Sequence, residues 1–181
     1  MNDLSLHILD IVQNSISANA TLIDIIIAEN LKNDRLSITI KDNGKGMTPE
    51  QVERVTDPYF TSRTTRKVGL GLPLFKQSAK QTGGDLVIES EVGKGTTVTA
   101  TFGHRHIDRP SLGDTANAVI LLVSANPEID FVYEHLHNEN NYVFDTREVK
   151  EALDGLPLND VHIIKMLTEM IQENLKEIYS A

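Results

Sequence analysis

The chain contains no cysteine. That excludes disulfides and zinc–thiolate sites, and it fits a cytoplasmic protein. Positive charge is also scarce, for the 181 residues carry a formal net charge of −9. The basic footprint of a nucleic-acid-binding protein is missing, so no nucleic acid is expected as a partner. No signal peptide or membrane span is visible. Leu22 to Ala28 is apolar but far too short to cross a bilayer, so no membrane partner is expected. There is no internal repeat and no low-complexity run. What remains is an ordinary globular composition, 40% apolar and 24% charged. It suffices for one domain, or one domain with a small appendage.

Three short stretches carry the chemistry. The first is Asp10-Ile-Val-Gln-Asn14. Leu4, Ile8, Leu9, Ile11, Val12 and Ile16 recur at helical spacing, with Asn2 or Asp3 as N-cap. The opposite side carries Asp3, His7, Asp10, Asn14 and Ser17. Asp10 and Asn14 are four apart and therefore neighbours on one face. A plain solvated stripe would look the same.

The second stretch, Asp42-Asn-Gly-Lys-Gly-Met47, follows an alternating strand over 35–41. Asn43-Gly44 alone would fit a hairpin turn. However, Thr48, Pro49 and Gln51 form a helix-start signature with a capping box. The order is then strand, Asp, glycine turn, helix. It leaves Asp42 at a strand end, above the sheet. The third stretch, Gly69-Leu-Gly71-Leu72, opens a helix that Gly83-Gly84 stops. Free amides and the positive dipole end of such a helix suit a phosphate. Just upstream, 61–67 is rich in hydroxyls and cations.

In this order the stretches resemble the ATP-binding domain shared by gyrase, heat-shock chaperone ATPases, sensor histidine kinases and MutL, the GHKL superfamily. Asp10-xxx-Asn14 stands where that family has its Glu-xxx-Asn box, and Asp42-x-Gly44-x-Gly46 where it has its adenine box. Asp57-Pro-Tyr-Phe-Thr-Ser-Arg63 is similar to the kinases' phenylalanine box, and Gly93-Lys-Gly95-Thr96 to the last glycine box. The resemblance covers about 3–103. It implies an α/β fold of the Bergerat type, a two-layer α+β sandwich with helices on one face of a mixed sheet. It also implies ATP and Mg²⁺ as cofactors. Asp42 would accept from the adenine amine, Thr96 would support that side, and Gly44 and Gly46 would let the backbone approach the base. Asn14 would offer a neutral oxygen to Mg²⁺. Gly69, Leu70, Gly71 and Leu72 would cradle phosphates, and Arg63, Arg66 and Lys67 would neutralise their charge. Asp10 would act as catalytic base. It is shorter than the family's glutamate, so weak hydrolysis is expected. A mobile lid is expected at 57–68.

Strands are expected at 21–29, 35–41, 85–90 and 95–103, and helices at 3–18, 49–56 and 70–82. Residues 1–108 make the ATP-binding domain. Residues 109–181 make an α/β extension packed on it. In this extension Ala118 to Val123 reads as a buried strand that joins the sheet. Residues 130–137 and 141–145 read as a hairpin. Asp145 caps a helix to Leu153, and an amphipathic helix covers 160–179. That last helix packs on the sheet or forms a homodimer contact. His104 and His106 read as solvated loop histidines.

Histidine kinases carry a phosphoacceptor hairpin before this domain, and the chain starts at the nucleotide helix instead. The leading reading is a histidine-kinase-like Mg·ATP module acting on, or regulated by, a separate protein. The alternatives are an anti-sigma-factor-like serine kinase, a MutL-like clamp, and a nucleotide sensor without catalysis.

Overall fold

The computed structural model describes residues 3–57 and 70–180. The phenylalanine box beyond Asp57, most of the expected lid, and Arg63, Arg66, Lys67 and Gly69 lie outside the described residues.

The first helix, α1 (Leu4–Ser17), starts where Asp3 accepts from the Leu6 N–H at 3.1 Å. It buries Leu4, Ile8, Ile11 and Val12. Strands β1 (Leu22–Asn30) and β2 (Arg35–Asp42) alternate cleanly. Ile23, Ile25 and Ile27 of β1 and Leu36, Ile38 and Ile40 of β2 are buried. The intervening residues face outward because successive strand side chains point to opposite faces. Helix α2 (Pro49–Val55) begins with the full Thr48–Gln51 capping box. Helix α3 (Gly71–Gln81), strands β3 (Leu86–Glu91) and β4 (Gly95–Gly103) complete the N-terminal half.

The C-terminal half comprises α4 (Thr115–Ala125), β5 (Asp130–His137), β6 (Asn140–Asp145), α5 (Thr146–Leu153) and α6 (Val161–Ser180). Its two strands join the same sheet, giving the order β3-β4-β2-β1-β5-β6. Strands β1 and β5 run parallel, and the other neighbouring pairs are antiparallel. One covered row runs Val98, Ile40, Ile25, Tyr133, Phe144 across five strands. The fold is α/β, a mixed sheet with its core between one face and the helices.

The segment 118–123 corrects the sequence reading. It lies within α4 and is not a strand. Asp114 caps that helix by accepting from the Asn117 N–H at 3.0 Å. Ala116, Ala118, Val119, Ile120, Leu122 and Val123 are all buried. A helix apolar nearly all round has the same hydrophobic pattern as a strand covered on both faces, and the β-branched residues tipped the reading the wrong way. The strand beside β1 is β5.

Two histidine readings also change. His104 is not solvated: its Nε2 lies 3.0 Å from Glu29 Oε1, and its side chain is only 15% exposed. His7 does not join a wet stripe either. It is 2% exposed and stacks on Phe75, with ring centroids 5.0 Å apart.

Glu29 is the centre of a buried polar cluster that the sequence did not announce. It occupies the inward position after Ile23, Ile25 and Ile27. His135 Nε2 lies 2.8 Å from Glu29 Oε2, and Tyr179 donates its hydroxyl to the same oxygen. The Tyr133 hydroxyl meets His135 Nδ1 at 2.8 Å. Burial alone would raise the Glu29 pKa. Hydrogen bonds from His135, Tyr179 and His104 outweigh it and bring the pKa down to about 2.

Candidate functional site

The end of β2 and the last turn of α1 meet at Asp42. This carboxylate is 8% exposed. Its Oδ1 accepts from the Gly44 N–H at 2.8 Å and the Thr96 N–H at 3.3 Å. Its Oδ2 accepts from the Ser15 hydroxyl at 2.6 Å. A carboxylate oxygen has two lone pairs, so Oδ2 retains room for one further donor. The turn after Asp42 is fixed by Asn43, whose side-chain oxygen accepts from the Thr21 and Leu22 N–H groups at 2.8 and 3.0 Å.

Asp42 forms one wall of a cavity of about 220 Å³. Asn14, Gly46, Leu72 and Thr96 line it too, with Ile11, Met47, Val55 and Val98 as apolar surfaces. The space suits a flat ring system. A whole nucleotide would have to extend beyond it.

The glycines have backbone reasons to be there. Gly46 has φ +70°, and a Cβ there would collide with the Glu91 carbonyl. Gly95, at φ +131°, would likewise collide with the Asp42 carbonyl. Gly46 thus passes close to the end of β3, and Gly95, at the start of β4, close to the end of β2. Gly44 lies against Ala18, at the end of α1.

Asp10 does not line the cavity. It stands at the start of α3, its Oδ2 3.2 Å from where a Cβ on Gly71 would sit. Burial raises its pKa. Leu70 is the N-cap residue of α3 and supplies no side-chain cap. It is 45% exposed. The first amides of α3 therefore have no side-chain partner from their cap, beside a carboxylate on the neighbouring helix.

Thus the structure gathers Asn14, Asp42, Gly46, Leu72 and Thr96 around one cavity. It puts Asp10, Leu70 and Gly71 at a second, adjoining place. Sequence reasoning missed Ser15, Lys45 and Met47. Ser15 left a signal: it is the polar break in the inward stripe Leu4, Ile8, Ile11, Val12. A larger groove, about 850 Å³, lies between α6 and the segment leading into α4. Two of its polar side chains, His135 and Tyr179, are already engaged by Glu29. Among the described residues no group of three or more His, Cys, Asp or Glu side chains could hold a metal unaided. Nor is any described helix long and apolar enough to cross a membrane.

Comparison with known proteins agrees with this geometry. Residues 2–106 match the family described as histidine kinase-, DNA gyrase B-, and HSP90-like ATPase. A putative sensor protein of Shewanella frigidimarina is 34% identical over 52% of this chain and 15% of its own length. The histidine protein kinase SaeS of Staphylococcus epidermidis is 38% identical over 48% of this chain and 26% of its own. Sporulation kinase E of Bacillus subtilis is 32% identical over 56% and 14%. The chain thus spans only a small part of these relatives. The N-terminal domain of a DNA repair protein shares the fold, with a TM-score of 0.58 at 19% identity over 80% of this chain and 52% of that one. Matched over more than half its length on the residues that build the cavity, the chain belongs to the family of histidine kinase-, DNA gyrase B- and HSP90-like ATPases.

Proposed function

We propose that the chain binds Mg·ATP and passes the terminal phosphoryl group to a residue on a separate protein. The observation that carries this reading is Asp42. It is a buried carboxylate with free acceptor capacity on the wall of a base-sized cavity. An exocyclic amine of adenine donates to such an oxygen, whereas the guanine O6 at the same place cannot. Thr96 lies beside Asp42 in the β-ladder and steadies it through its N–H. The uncapped first turn of α3 presents Gly71 and Leu72 amides, and its positive end favours phosphate oxygens.

Asn14 suits Mg²⁺ chemically. A hard cation that draws most of its charge from phosphates needs only one neutral protein oxygen. Bound there, Mg²⁺ would neutralise charge on the phosphates. Asp10 would accept a proton in this reading, and burial raises its pKa, a shift that favours a base. Its short side chain fits slow water attack and a phosphoacceptor supplied from elsewhere. Arg63, Arg66, Lys67 and Gly69 belong to this proposal through the family resemblance.

The metal assignment has its own test. Asn14→Ala is expected to weaken ATP binding about tenfold in Mg²⁺ and very little in EDTA, the loss of one ligand-directed polar contact. Calorimetric titrations in the two buffers read this directly. An equal loss in both would make Asn14 a structural residue of α1.

A further inference from the structure

The helices α1 and α3 meet along one stripe. Asp10 packs on Gly71, at the start of α3. One turn earlier on α1, the His7 ring stacks on Phe75 at 5.0 Å and 22°. Its Nε2 lies 3.4 Å from the Ser78 hydroxyl. Positions 7 and 10 share a face of α1, and 71, 75 and 78 share a face of α3. The helices therefore run past each other so that His7 grips α3 one to two turns beyond its uncapped end.

His7 is an expensive residue for this place. It is 2% exposed, and its Nδ1 has no hydrogen-bond partner. Burial lowers its pKa to about 4, so the ring is neutral. An unpaired buried nitrogen is costly, and a leucine or phenylalanine would avoid it. Packing alone does not explain an imidazole here. The Ser78 contact offers the explanation: it ties a side chain of α1 to a side chain of α3. At its far end α3 is held separately, where the Gly103 N–H donates to Thr82 Oγ1 at 3.0 Å. Phe75 rests in turn on Phe102 of β4, with centroids 5.9 Å apart.

We infer that His7 is a positioning residue for the phosphate end of the site, setting where the first turn of α3 stands relative to Asp10 and Asn14. The inference rests on the Mg·ATP reading. It concerns the phosphates more than the base, because Ser15, Asp42 and Thr96 are held by other contacts and α3 reaches the base cavity through Leu72. A shift of α3 by a fraction of a turn would move the Gly71 and Leu72 amides while Asp42 stayed put. Misplacement on the order of 1 Å is known to have large effects in such sites.

Two variants test it, each against wild type. Ser78→Ala removes the hydroxyl and keeps the ring. His7→Phe keeps a ring against Phe75 and removes the orphan nitrogen. Affinities for Mg·ATP and for adenosine are measured by calorimetry, with thermal melts alongside. The expected result is a loss of about tenfold for Mg·ATP in both variants, with a much smaller loss for adenosine and the His7→Phe melting temperature equal to or above wild type. Equal losses for ATP and adenosine would reduce His7 to a packing residue and overturn the inference. So would undiminished ATP binding. If wild type itself bound neither ligand, the nucleotide reading would fall first and this one with it.

Discussion

Cut after residue 108, the chain is expected to lose cooperative folding. The cut removes β5, the parallel neighbour of β1 from Leu22 to Glu29. The exposed backbone edge would lie beside Ile23, Ile25 and Ile27, an invitation to aggregate. It also removes the connector that caps the nucleotide helix. The Leu4 N–H donates to the Ser111 carbonyl at 2.8 Å, and the Ser5 N–H to the Leu112 carbonyl at 2.9 Å. Helix α4, which packs on α1, would go too. Glu29 would lose His135 and Tyr179 and keep its burial only by staying collapsed. Near-UV circular dichroism and urea unfolding of the fragment read the effect, and a broad transition or insolubility is expected. A soluble, cooperatively unfolding 1–108 fragment with full ATP affinity would show instead that the remainder is a separable module.

Replacing Glu29 by Gln should destabilise the intact protein by about 3 kcal/mol. The carboxylate collects donors from β5, from the turn after β4 and from α6. A carboxamide turns one acceptor into a donor facing other donors. For a chain of this size that loss lowers Tm by about 10 °C. The same group sets an acid limit. Its folded pKa, about 2, lies below its ordinary value of 4.5. A depressed carboxylate contributes its stability above the unfolded pKa. That contribution drains away as pH falls from about 4.5 toward 2. Urea midpoints at pH 7 and pH 3 should therefore converge between wild type and Glu29→Gln at the lower pH. A constant gap would contradict the assigned role.

The sequence was most legible where one local rule governs. The alternation of β1 and β2, the Asp3 and Asp145 caps, and the Thr48–Gln51 box each define an element with no help from elsewhere. Helix α4 was misread because burial on nearly all sides erases periodicity. Asp42 could be singled out because a strand running into a glycine turn places it. Its partner Ser15, 27 residues away, could be seen only as a polar break in an apolar stripe. The Glu29 cluster was harder. A glutamate at an inward strand position signals a buried charge, yet its partners stand 75, 106 and 150 positions further along the chain. No local pattern joins them. His7 was misjudged for a related reason, since its neighbour Phe75 belongs to a helix whose packing angle no motif specifies.

The central claim is that Asp42 selects adenine in the α1–β2 cavity. Its direct test is a calorimetric titration of Mg·ATP and Mg·GTP into wild type and Asp42→Asn. The account predicts that wild type prefers ATP. The substitution should weaken ATP binding about tenfold to a hundredfold, the range for a polar contact whose partner is left unpaired. GTP, whose O6 can accept from the new amide, should bind no worse than before. Unchanged affinities for both nucleotides in the variant would contradict the account and place the base elsewhere.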